Sequence, residues 1–310
     1  MADESGARNS GPTSDYKFIL YQVTDRLATI TLNRPERRNA LTWSLLHELS
    51  RALKIAEKDK DVRVIILKGA GPCFSAGHDF TEDMGNPPKH LDQRSWTQLM
   101  TNPEGEGISS WDSRAQVQGH IEMDLEIWNC WKPVIAQVHN VCLGGATGIA
   151  LCCDLLIVSD DARIGYPPVR SIAPGEEIAM FSWHVGLKKA KELSLTGDSL
   201  TAKEMLDYGM ANHVFPREKL DEETTKIARR IANIDSELLA LSKTLVNRIF
   251  DQQGYSHSLR MSGEYISVGH HTRTLRAFNK TLREKGVKAA VEERDRPFGG
   301  LLGRYPEVDK

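Results

Sequence analysis

An α/β fold with a helical C-terminal region is what the sequence predicts, on three observations. Short β-rich runs alternate with runs of helical periodicity between Tyr16 and Val214. Two glycine-rich stretches each follow a compact apolar strand. After Pro216 the pattern is almost wholly helical.

Taken in order, residues 1–15 are small, polar and acidic, and they bury too little to offset ordering entropy, so a disordered tail is expected there. Phe18 to Val23 and Ala28 to Leu32 are two β-rich runs joined by the polar Thr24-Asp25-Arg26, which predicts a hairpin. Thr42 is placed to cap a helix in which Leu45, Leu46, Leu49, Leu53 and Ala56 recur at helical spacing. Arg63 to Lys68 follows as a buried strand. From Gly85 to Ser110 the pattern dissolves into Asn, Pro, Gly and Ser, and a mobile active-site flap is expected. A helix from about Arg114 to Trp128, a strand from Val134 to Val138, a helix opened by Gly144-Gly145 and a strand from Leu155 to Val158 then repeat the unit. Helices are expected over Glu218 to Asn233, Ser236 to Phe250 and His257 to Arg294. The organisation expected is a tail (1–15), a core (16–215) and a helical region (216–310) that covers the site and supports oligomerisation.

Charge and cysteine content narrow the function. With 40 basic and 42 acidic side chains the net charge is -2, so no overall field favours nucleic acid or an anionic membrane. The opening residues lack the apolar core of a secretory signal, and no run is long enough to span a bilayer, so a cytoplasmic enzyme is expected. Cys73, Cys130, Cys142, Cys152 and Cys153 have no zinc-site spacing and read as buried thiols; no metal and no separate cofactor are expected.

The chemistry gathers at the two glycine-rich stretches. Phe74-Ser75-Ala76-Gly77-His78-Asp79 follows a buried strand, and Val141 to Gly148 follows another and opens a helix, whose first N–H groups point outward at the positive end of its dipole. One N–H from each can hold a single oxyanion. The alternative is two tight packing turns.

The order of motifs resembles the crotonase (enoyl-CoA hydratase/isomerase) superfamily. It runs through Asn33-Arg34-Pro35, Asn39-Ala40-Leu41, the Phe74 to Asp79 stretch, Lys132-Pro133-Val134, Leu143-Gly144-Gly145 and Cys153-Asp154, and is extended by Thr196-Gly197 and Asp207-Tyr208-Gly209. The resemblance implies a ββα spiral core, trimers often paired into hexamers, and an acyl-CoA thioester as the partner, with coenzyme A as part of the substrate. By position it makes the backbone N–H groups of His78 and Gly145 the oxyanion donors, and puts CoA against Arg37, Arg38, Ala40, Ala76 and Asp79. Either arginine holds a phosphate or is a solvated charge; Asp79 also reads as a local turn cap. Trp43 and Tyr166 are expected to line the acyl pocket.

The family's hydratases carry two glutamates at positions that here read Gly148 and Pro168, and neither residue can transfer a proton. Glu176 and Glu177 lie just inside a helix start and are the substitute acid or base. Adjacent helical residues point about 100° apart, so one of the two is expected to serve only the helix dipole. His120 reads as a surface histidine beside Glu122 or, alternatively, as a pocket residue partnering a glutamate. The leading expectation is an enoyl-CoA hydratase-like lyase or an isomerase. The alternatives are hydrolysis or carbon–carbon cleavage of a β-keto or cyclic acyl-CoA, or a catalytically silent CoA-binding subunit.

Overall fold

The computed structural model describes residues 16–80 and 110–302. The expected tail and, apart from Ser110, the expected flap lie outside the described residues.

Strand β1 (Ile19–Thr24) pairs antiparallel with β2 (Leu27–Leu32). Their two-residue turn, Asp25 and Arg26, has φ of 50° and 67°, as the right-handed twist of a hairpin demands. Helix α1 (Trp43–Lys58) starts where the sequence predicts, with the Thr42 hydroxyl accepting from the Leu45 N–H at 3.2 Å. The chain continues through β3 (Val64–Gly69), α2 (Ser110–Asn129), β4 (Val134–Val138), β5 (Val141–Leu143), α3 (Gly145–Leu151), β6 (Leu155–Ser159) and β7 (Arg163–Gly165). Then come α4 (Glu176–His184), α5 (Leu187–Thr196), β8 (Ser199–Thr201), α6 (Ala202–Asp207) and β9 (His213–Phe215). The C-terminal region is α7 (Leu220–Ile231), α8 (Ser236–Gln252), α9 (Tyr255–Gly269) and α10 (Arg273–Asp295). The single helix expected over His257 to Arg294 is therefore two, separated at residues 270–272, and α10 is itself broken at Gly286, whose φ is 82°.

The main sheet has the order β1-β2-β3-β4-β6-β9 and is parallel from β2 onward, while β5, β7 and β8 form a second sheet. Strand-strand-helix units recur as β1-β2-α1, β4-β5-α3 and β6-β7-α4, which is the ββα core that the resemblance implies. The central strands β3, β4 and β6 are buried on both faces and read as near-continuous apolar runs, whereas β1 at the edge alternates buried and exposed residues. Along β3, Ile65 and Leu67 enter the larger core, and Val64 and Ile66 pack the other way, with Leu220 and Ala228 of α7. All five cysteines are buried free thiols.

The chain between Phe74 and His78 is pinned from two sides. On one, the Ala76 N–H donates to the Arg38 carbonyl and the Leu41 N–H to the Gly77 carbonyl; on the other, the Phe74 and Ser75 N–H groups donate to the carbonyls of His139 and Val141. Asn39 holds the first side. It is fully buried at φ 52°, its Nδ2 donates to the carbonyls of Ala70, Cys73 and Phe74 at 2.8–3.1 Å, and its Oδ1 accepts from the Arg34 N–H. Asparagine is the non-glycine residue best suited to this conformation. Asn39→Ala would leave those buried groups without a partner and keep the unfavourable φ, so urea unfolding should show a loss of about 3 kcal/mol or more.

Candidate active site

A cavity of about 660 Å³ opens between the two glycine-rich stretches, α4 and the C-terminal helix α10. Its size suits a small-molecule site. One wall is Gly77, His78, Gly144 and Gly145; another is Tyr166, Glu176 and Glu177. Phe80, Val117, Ile172, Ile266, Val287 and Val291 give it an apolar lining.

The two stretches approach at backbone distance. Ser75 and Cys142 form a parallel bridge, and the Leu143 N–H donates to the Ser75 carbonyl at 3.2 Å. A Cβ on Gly77, whose φ is 90°, would lie 2.6 Å from the Leu143 carbonyl oxygen, so only glycine fits there. Gly145 opens α3, where a backbone N–H has no partner within its own helix. A Cβ on Gly145 would collide with the His78 ring, so the glycine leaves that ring its place.

His120 is a correction. It is buried, 6 % exposed, rather than a surface residue beside Glu122, whose carboxylate is engaged by Arg260 at 2.8 Å. Its ring lies 4.1 Å from that of Trp43 and 4.6 Å from that of His78, centroid to centroid. Burial drives His120 well below the usual imidazole range and His78 down to about 4, so both rings are neutral at physiological pH. Trp43 backs His120 and is not part of the cavity wall; Tyr166 is.

The carboxylates are a second correction. Glu176 and Glu177 both line the cavity and are 6 % and 1 % exposed, so neither is a solvated helix cap. Glu177 Oε2 has no hydrogen-bond partner, and that oxygen and the Tyr166 hydroxyl crowd the space above the Gly175 Cα. Desolvation raises Glu176 to about 7, opposed by its position at the helix N-terminus. Glu177 is raised well above the carboxylate range by burial first and by the charge of Glu176 second.

Of the expected CoA contacts, Arg37 and Arg38 are exposed at the cavity rim with Ala40 and Ala76. Asp79 reaches the cavity too, and its carboxylate forms a buried ion pair with Arg34 at 3.0 Å. Sequence reasoning missed Asp124. It is 5 % exposed, one helical turn after His120 on α2, and its carboxyl occupies the space where a side chain on Gly148 would go. That spacing to His120 and the bare Gly148 are the signals that point to it. Sequence reasoning missed the C-terminal contribution at residue level as well: Lys288, Glu292 and Arg294 of α10 complete the cavity. Among the described residues no group of side chains suits a metal ion, and no helix is long and apolar enough to cross a membrane.

The model of the enoyl-CoA hydratase/isomerase family matches residues 27–295. EchA13 of Mycobacterium tuberculosis, a candidate enoyl-CoA hydratase, is 37% identical over 265 residues, covering 82% of this chain and 80% of its own. A trans-2-decenoyl-[acyl-carrier-protein] isomerase of Streptococcus mutans is 27% identical, over 92% of this chain and 99% of its own. The crystal structure of an enoyl-CoA hydratase from Mycobacterium smegmatis superposes with a TM-score of 0.86 at 31% identity, covering 96% of this chain and 99% of that one.

Burying two acids that no described basic side chain pairs with sets a pH dependence. A carboxyl whose folded pKa lies above its unfolded value binds more protons when folded, so stability falls as pH rises from the unfolded value through the folded one. For Glu176, from 4.5 to about 7, this amounts to about 3 kcal/mol. Glu176→Gln and Glu177→Gln should therefore each raise the thermal midpoint by several degrees at about pH 8 and by much less at about pH 5, in calorimetric scans.

Proposed function

Since this chain belongs to the enoyl-CoA hydratase/isomerase family, we propose that it hydrates an enoyl-CoA thioester, with Glu176 and Glu177 as base and acid. The observation that carries this reading is that both carboxyls share one cavity with the paired glycine-rich turns. Hydration needs a base for water and an acid for the α-carbon, and two acids pushed to different pKa values divide those tasks.

The thioester oxygen lies between the backbone N–H groups of His78 and Gly145, which strengthen their hold as the oxygen gains charge. Glu176, the carboxyl that ionises near 7, takes a proton from water as the water oxygen bonds to the β-carbon. The electron pair of the carbon–carbon double bond moves into the enolate. Glu177, held in its acid form, then gives its proton to the α-carbon. Neutral His78 and His120, backed by Trp43, keep that side of the site uncharged. Arg37 and Arg38 at the rim attract the CoA phosphates, and the apolar lining together with Tyr166 takes the acyl chain. No separate cofactor enters this scheme. A cytoplasmic location belongs to the same reading and rests on the sequence.

Assembly into a trimer or a pair of trimers is also part of the proposal. Its support is α8, which exposes Leu238, Leu241, Leu245, Val246 and Ile249 along one helix in the single chain.

Incubation with crotonyl-CoA and longer enoyl-CoA esters should remove the conjugated thioester absorbance and add one water by mass. Activity should rise with pH through about 7 as Glu176 ionises. Glu176→Gln and Glu177→Gln should each lower kcat by roughly 10²–10⁴-fold. Double-bond migration without added water would make the protein an isomerase, and CoA-ester binding with no turnover would sink the reading. Light scattering should give a trimer or hexamer that Leu241→Glu with Leu245→Glu dissociates; a monomeric native protein would refute the assembly.

A further inference from the structure

Asp124 lies outside the cavity wall, yet it is as deeply buried as the two glutamates that form part of it. Its carboxyl rests against the Gly148 Cα, and a Cβ at that position would collide with Oδ2. Helix α3 therefore carries a glycine where α2 inserts an acid. The titratable groups that act on this carboxyl or feel its charge are Glu176 and Glu177 from α4, Cys152 and Cys153 just after α3, and Tyr255 from α9. His120 stands one turn earlier on α2 and is neutral. Among the described residues no basic side chain forms an ion pair with Asp124, Glu176 or Glu177, and Glu177 Oε2 has no hydrogen-bond partner although it is nine-tenths or more buried in the same site.

Three carboxyls that no described basic side chain pairs with cannot all be ionised in a desolvated site. Which of them keeps its proton follows from position: Glu176, at the first residue of α4, has the helix N-terminus to favour its charge, whereas Asp124 sits mid-helix without one. We propose that Asp124 is a positioning residue that remains an uncharged acid, packed on Gly148, so that Glu176 beside it can carry the negative charge and act as the base. The proposal rests on the functional reading above for the word base, but the protonation of Asp124 does not. Burial first and the charge of Glu176 second push Asp124 in this direction, and the two carboxyls titrate as a pair. Ionisation of Asp124 would then place a second negative charge beside the site in which the enolate forms, and turnover would fall.

Infrared difference spectroscopy on the full chain, with turnover followed alongside, tests this. The wild type should retain protonated-carboxyl absorption at about pH 8, and Asp124→Asn should remove one such band. Gly148→Ala, whose methyl presses on Oδ2 of Asp124, should move that band without removing it, and it serves as the probe if Asp124→Asn fails to fold. With an enoyl-CoA substrate, Asp124→Asn should keep kcat within about threefold near neutral pH, because the amide resembles the neutral acid, and should leave the rise of activity through about pH 7 in place, because no charge beside Glu176 is removed. An unchanged set of bands in both variants, or a rise displaced to lower pH in Asp124→Asn, overturns the proposal. Loss of the band in a protein that turns over no enoyl-CoA upholds the protonated Asp124 and sinks the functional reading instead.

Discussion

Backbone contact between the Ser75-Ala76-Gly77 stretch and the Cys142-Leu143-Gly144 stretch is the constraint on which the rest of the site depends. The two lie close enough that the Leu143 carbonyl excludes any side chain at Gly77. Such an approach must be held from outside, because loops carry their own polar backbone and have little core of their own. Here the hold comes from Asn39, which satisfies three carbonyls, and from His139 after β4 and Val141 of β5, whose carbonyls accept from Phe74 and Ser75. The buried Arg34–Asp79 pair braces the same corner. Residues that a motif search attaches to ligand binding thus also serve as the frame.

Within that frame the site buries acids that, among the described residues, form no ion pair, while its basic residues, Arg37, Arg38, Lys288 and Arg294, come from the rim and from α10. Each buried carboxyl costs stability at neutral pH, and a protein gains nothing structural from Glu176, Glu177 and Asp124 that Gln, Met or Leu would not supply better. Groups whose proton affinity is pushed apart by burial are the usual mark of a site built for proton transfer. His78 and the buried His120 act in the opposite pH direction: neutral when folded, they weaken the fold as pH falls below about 6.5. The two sets together favour a stability optimum on the acid side of neutrality.

The C-terminal helices are joined to this chemistry through one ion-pair cluster. Arg170, in the short turn of helix after Tyr166, reaches Asp198 at 3.0 Å and Asp295 at 3.2 Å, and Asp295 is held in turn by Arg294. That cluster seats the end of α10 beside the cavity it helps to close. Lys243 of α8 pairs with Asp154 at 2.8 Å, and Asp154 also accepts from the Val134 N–H, so the region is fastened to the sheet as well.

Sequence alone determined the strand-strand-helix-strand opening, its hairpin, the cap at Thr42 and the two glycine-rich turns, because each is written in local periodicity or in residues with special backbone freedom; the short strands β5, β7, β8 and β9 carry no such signal. It determined the family too, since the order of motifs survives where single motifs do not. What it could not decide was which side chains face inward at a shared depth. Two adjacent glutamates at a helix start look alike in sequence, and one seemed destined for solvent; only the packing of Tyr166, Gly175 and α10 around them buries both. His120 looked like a surface residue until Trp43 and His78 closed on it. Asp124 was missed because its signal is shared with Gly148, on another helix, and only the fold brings the two together. Local structure follows from neighbours in the chain, whereas burial and proton affinity depend on neighbours in space, and those exist only once the chain has folded.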